Sequence, residues 1–422
     1  MKAHALAVLS WAINLMRRTL IIVSIAIVLL GLGIYFYFVS RSPGIVVAPT
    51  GNTTLPTVPG TTQTTTTTST TNSETSGTST STIPNTPKVV SSQLVQITTG
   101  PVVPGEALVD LPAVNASSSP DVLVNYIERE SGNVFSYQVG TAVLTRISNK
   151  TIPGIEQALW LPNAATAFVR YLSGDDFSTI NTYALPVSAS STGFFLSQNL
   201  ADIAVSSTSV LTLASGVNGS SASLVHTDGT GSSQVFSTPL SGLHVSFAGK
   251  NQYLAFTKPS ATLLGDAFLV NKAGDFSRIA GPLNGLVALA SPSGKWVLVS
   301  YVLSGSMQMS LINTTTGETL PLPIATIADK CIWTTDESAL YCGVPVNPDM
   351  SYSYPDDWYQ GAVHFSDRVW KINVSGRYVQ LVLDFSAQTK TPLDAEAFAV
   401  DASSSVLSFV NKNDGSLWSY KF

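Results

Sequence analysis

Charged residues make up only 11% of this 422-residue chain, less than half the roughly 25% usual in soluble domains. The net charge of −5 leaves no basic stripe, so nucleic acid is not an expected partner. Histidine is nearly absent, with four residues in all. Neither an HExxH helix nor a G-x-S-x-G nucleophile elbow occurs, which removes the commonest zinc-protease and serine-hydrolase signatures. Cysteine is limited to Cys331 and Cys342. No cofactor motif is present, so neither a cofactor nor a metal is expected.

Serine, threonine, asparagine and glycine take the place of charge, as in an all-β chain rich in turns. One pattern recurs: an apolar strand, a tight polar turn and a second apolar strand. It is fullest at Leu286–Tyr301 (LVALASPSGKWVLVSY) and returns at Ile203–Leu213, Leu243–Phe256 and Ala397–Val410. Self-similarity of this kind is the signature of repeat architectures. Two more strand-like runs follow each pair, and four strands per unit is the make-up of a propeller blade. Second strands such as Thr166–Tyr171 (TAFVRY) are apolar on both faces, as packing between neighbouring blades requires.

First strands open near Ala107, Ala158, Ile203, His244, Val287, Cys331 and Ala397. The sequence therefore predicts a seven-bladed β-propeller of four-stranded blades over residues 93–422. The last unit shows only three strands. Its fourth is expected from Leu94–Thr98, which would pair with Leu417–Lys421, close the ring and remove exposed sheet edges.

Upstream, Leu20–Val39 is uninterrupted by charge and long enough to cross the roughly 30 Å hydrocarbon layer as one helix. Lys2, Arg17 and Arg18 precede it, while only Arg41 closely follows. That asymmetry places residues 1–19 in the cytoplasm and the propeller outside, on a single-pass anchor in the cytoplasmic membrane. Residues 40–92 are a Thr/Ser/Pro-rich tract with too little apolar surface to order itself, read here as a stalk.

The turn Ser291–Lys295 (SPSGK) resembles the turn repeated in TolB-like propellers. Longer strings carry a more specific resemblance: Tyr126–Tyr137 with Arg146–Ile152, Lys330–Pro345, Tyr354–Ile372 and Phe409–Trp418. They are similar to a group of membrane-anchored TolB-like/WD-repeat-like β-propeller proteins of candidate-phylum bacteria. The resemblance implies fold and topology. It implies no activity and no Tol–Pal partnership.

Cys331 and Cys342 flank a hairpin centred on Asp336–Glu337 and would face each other across it; in an exported domain such a pair is expected to bridge. The sixth unit also carries the longest connection, Val344–Asp367 (VPVNPDMSYSYPDDWYQGAVHFSD). Long connections in compact domains are disproportionately functional. Its Asp356, Asp357, Trp358, Tyr359, His364 and Asp367 are the candidate residues for binding an envelope protein or glycan, by ring stacking and carboxylate hydrogen bonds. The competing reading has the rings packing the loop onto its own blade. A calcium site at Asp356, Asp357 and Asp367 matches no known loop spacing, and Asn411–Gly415 reads as a hairpin turn. Asp202, Asp329 and Glu396, near the starts of first strands, would converge in a channel if the chain is an enzyme, such as a glycan hydrolase or lyase. The binding module is the leading expectation and the enzyme the alternative.

Overall fold

The computed structural model describes residues 46–47, 87–113, 120–148, 150–188 and 191–422. Leu20–Val39 and most of residues 40–92 lie outside that set. No helix among the described residues is long and apolar enough to cross a membrane. The described parts of 40–92 carry two short strands: Val46–Val47, parallel to Tyr378 and Val379, and Lys88–Val89, antiparallel to Val95 and Gln96.

The described chain is all-β. Helix is confined to single turns at Asp356–Tyr359, Phe385–Gln388 and, in 3₁₀ form, Ala328–Lys330. Strands consecutive in sequence pair antiparallel as meanders. The first set is Ala107–Leu111, Asp121–Ile127, Val134–Gln138 and Val143–Ser148; the second begins at Ile155–Trp160 and the third at Leu200–Val205. A seven-stranded sheet follows, in which the 15-residue strand Phe276–Ala290 serves twice. Its first half pairs with Leu264–Asn271 and its second half with Trp296–Leu303. Another set begins at Cys331–Trp333, and the last at Ala395–Val400.

That last sheet is completed from far upstream in the chain. Leu94, Val95 and Gln96 stand opposite Tyr420, Ser419 and Trp418. Ile97 N donates to Leu417 O at 2.8 Å, and Leu417 N donates back to Thr98 Oγ1 at 3.0 Å. The pairing expected from the sequence is present.

First strands of successive sets lie side by side. Ile155–Trp160 adjoins Leu200–Val205, which adjoins Leu243–Phe247 and then Phe276–Ala290. Ala328–Lys330 bridges to Ala395–Val400, which touches Ala107–Leu111. The first and second sets are linked where Ala158 N donates to Pro104 O and Trp160 Nε1 to Gly105 O, both at 3.0 Å.

The core is a series of apolar slabs between neighbouring sheets. Side chains alternate across a strand, so Thr166–Ser173 sends Ala167 and Val169 into the slab shared with the first set and Phe168 into the slab shared with the third. Likewise Val410 and Leu417 of the last set meet Val124, Tyr126 and Tyr137 of the first. This is why the second strands are apolar on both faces. Cys331 and Cys342 are directly opposed residues on adjacent strands and form a disulfide.

Candidate functional site

The insert of the sixth unit is built around a buried ammonium group. Lys330 has no solvent exposure, and a buried charge is tolerated only when paired and hydrogen-bonded. Its Nζ contacts Asp394 Oδ1, lies 2.9 Å from Asp367 Oδ2 and donates to Ala395 O at 2.9 Å. The same Nζ sits 4.9 Å from the ring centroid of Trp358 and 5.1 Å from that of Phe365. Asp394 also accepts from Trp358 Nε1 at 3.0 Å and from Phe365 N at 2.9 Å. Burial raises the Asp367 carboxyl, the Lys330 charge pulls it back and the Asp394 charge raises it again, leaving it at about 6.

The insert's rings therefore fold inward. Tyr354, Trp358 and Phe365 are all buried. Asp367 Oδ2 accepts from Ala395 N at 2.7 Å. Asp356 accepts from Ala261 N at 3.1 Å, and Asp357 accepts from Ser353 N at 2.6 Å. Each aspartate anchors a separate piece of backbone, so the three do not converge. Among the described residues no group of three or more His, Cys, Asp or Glu is placed to hold a metal ion. Residues 411–415 form a hairpin turn, closed by Gly415 N donating to Asn411 O at 2.7 Å.

Two candidate residues of the insert keep substantial contact with solvent. The His364 side chain is 46% exposed, with Nδ1 3.9 Å from Asp394 Oδ2. Tyr359 is 39% exposed, and its hydroxyl donates to Asp329 Oδ2 at 2.6 Å. That bond ties the insert to the 3₁₀ turn that leads into the first strand of its own sheet. Asp329 shares its electrostatic surroundings with His244 and Asp202. His244 Nδ1 lies 3.2 Å from Asp202 Oδ2, and its ring stacks on Phe256 at 5.3 Å. Asp202 is held in turn by the backbone N–H groups of Ile203 and Val245, both at 2.9 Å.

Asp329, His244 and Tyr359 touch water yet are crowded by protein, and their acidities reflect both conditions. Burial lowers the His244 pKa, but the hydrogen bond and charge of Asp202, with the charge of Asp329, outweigh it and raise it overall. Burial raises Asp329 against the opposing hydrogen bond from Tyr359. Tyr359 is pushed well above the ordinary phenol range by burial and by Asp329. The set brings two carboxylates, an imidazole and a phenol into one polar cluster.

Glu396, nominated with Asp202 and Asp329, goes elsewhere. It pairs with Lys412 at 3.1 Å, and Lys412 lies 4.5 Å from the Trp358 ring centroid. Nearby, Glu106 is buried with Oε1 accepting from Ser408 Oγ at 2.7 Å, while Oε2 has no partner among the described residues. Burial is the main reason its pKa rises to about 8. Sequence reasoning missed Lys330, Asp394, His244 and Glu106. A lysine between Asp329 and Cys331 at the mouth of an apolar strand was the one available signal.

No family model matches the chain, and no curated protein matches it either. Solved structures do. Oligogalacturonate lyase in complex with manganese is similar at 10% identity over 76% of this chain and 98% of its own, with a TM-score of 0.47. Streptogramin B lyase matches at 10% identity over 76% and 94%, with a TM-score of 0.46. TolB from Acinetobacter baumannii matches at 9% identity over 65% and 77%, with a TM-score of 0.40. All three are β-propeller folds.

Proposed function

We propose that this chain is a seven-bladed β-propeller carried outside the cytoplasmic membrane by Leu20–Val39, and that it binds an envelope protein or glycan. The closed ring is supported by Leu94–Gln96 completing the last sheet and by the run of adjoining first strands. The binding role is carried by one observation. The insert delivers Tyr359 to Asp329, beside the Asp202–His244 pair, so donors and acceptors from four separate elements converge where water still reaches them. Few, well-positioned polar groups of this kind are what orient a ligand. Carboxylates accept from hydroxyls or amides, and the phenol ring offers apolar contact.

The test compares the full chain in detergent with Asp329→Asn and Tyr359→Phe variants, in pull-downs from envelope extract and on a glycan array. Both variants should lose the same partner. Equal recovery of every partner by all three proteins would sink the assigned site.

A second reading rests on Glu106. A buried, neutral carboxyl near Glu396, itself ion-paired to Lys412, is the kind of unequal pair that general acid–base catalysis uses. On that reading the chain is an extracytoplasmic glycan hydrolase or lyase. Turnover of a polysaccharide by the wild-type chain, abolished in Glu106→Gln, would favour it over binding.

A further inference from the structure

The repeat's tight turns gather at the strand ends opposite the insert. In the sixth set, Glu337 sits in the turn before Ala339–Pro345 and the insert follows that strand. Residues 206–209, 249–250, 292–293 and Glu337, from turns of four successive sets, border a groove of about 990 Å³. Its lining includes Ser207, Thr208, Phe247, Lys250 and Tyr253. A second hollow of about 540 Å³ shares Lys250 and adds Lys272, Asn251 and Asn271.

The groove is preformed, because its turns are fastened to one another. Gly294 has φ +77°, and a Cβ there would stand 2.3 Å from Ala248 O, so only glycine lets these two turns touch. The Glu337 carboxylate accepts from both the backbone N and, at 2.7 Å, the Oγ of Ser293. The groove's one acid is thus already engaged.

Ser206 Oγ is engaged as well, donating to Ser209 O at 2.9 Å, whereas the phenol and the lysines are not. Tyr253 is only 5% exposed, with its ring against Phe247 at 5.9 Å. Its hydroxyl has no hydrogen-bond partner among the described residues, and neither Lys250 nor Lys272 has an ion pair there. The lining therefore presents two ammonium groups and a phenol that have no partner among the described residues, and it exposes hydroxyls beside an aromatic ring.

We propose that this groove binds an acidic oligosaccharide. Sugar carboxylates meet Lys250 and Lys272, sugar hydroxyls meet Tyr253, Ser207 and Thr208, and an apolar sugar face lies on Phe247. The site is independent of the Asp329–Tyr359 region and does not rest on its role.

The probe is a uronate trisaccharide, titrated calorimetrically against the full chain in detergent beside a neutral glucose trisaccharide. The uronate should bind, with the neutral sugar at least about tenfold weaker, as loss of a charge-assisted contact predicts. Lys250→Gln should weaken uronate binding about tenfold and Tyr253→Phe about threefold, with melting temperatures unchanged. The proposal is overturned by no uronate binding, by equal affinity for both sugars, or by undiminished binding in Lys250→Gln and Tyr253→Phe.

Discussion

The insert of residues 346–366 and the short turns at the opposite strand ends invert what their compositions suggest. The insert is rich in rings and acids, yet Trp358, Phe365 and Asp367 spend their hydrogen bonds and faces on Lys330 and Asp394. The turns are built of Ser, Gly and Lys, yet beside them Tyr253 and Lys250 are left without polar partners among the described residues. Availability to a ligand depends on which groups remain unsatisfied, not on how many are present. Of the candidate residues in the insert, only Tyr359 and His364 combine a polar tip with substantial exposure, and Tyr359 is the one that reaches another cluster.

The strongest way to break this contrast is Lys330→Met. It would leave Asp367 and Asp394 buried without a counter-charge, and should destabilise the protein by about 3–5 kcal/mol in denaturant unfolding. A loss below about 1 kcal/mol would mean that the insert is not held by these ions.

Glu106 sharpens the comparison, because it is a buried acid with no cation hydrogen-bonded to it. Its pKa is raised from 4.5 in a free side chain to about 8 in the folded protein, so folding favours the protonated form. That contribution is fully present below about pH 4.5 and is lost as pH rises through 8. Wild type should lose stability, on the order of 3–5 kcal/mol, between pH 5 and pH 9. Glu106→Gln should flatten that slope, and a slope equal in both proteins would show that another group drives it.

Reducing the Cys331–Cys342 bond, which spans 11 residues, should lower stability by roughly 3 kcal/mol. Thermal melts with and without reductant measure it. The smallest effect belongs to the other side of the comparison. Lys250→Gln touches no internal partner and should change stability by less than about 0.5 kcal/mol. A larger change would show that the groove, like the insert, is part of the scaffold.

Much of the strand architecture was legible in sequence. TAFVRY is apolar at consecutive positions because Ala167 and Val169 face one neighbouring sheet and Phe168 faces the other. The last set's need for a strand from Leu94–Thr98 followed from counting three runs where others have four, and Cys331 and Cys342 were placed opposite each other by the hairpin between them. The candidate site was less legible. Trp358 and Asp367 were nominated for chemistry that suits a surface, and they lie in the interior. Asp202 and Asp329 were nominated together with Glu396, and His244 was not, though it is the residue between them.

The sequence by itself determined β content, strand order and the two-faced packing of second strands, because side-chain alternation is local and repeats every two residues. Only the tertiary structure decided which charges meet. Lys330 finds Asp394 across 64 positions, His244 finds Asp202 across 42 and Glu106 finds Ser408 across 302. Such pairings depend on how neighbouring sheets stand against each other, and no local period encodes that.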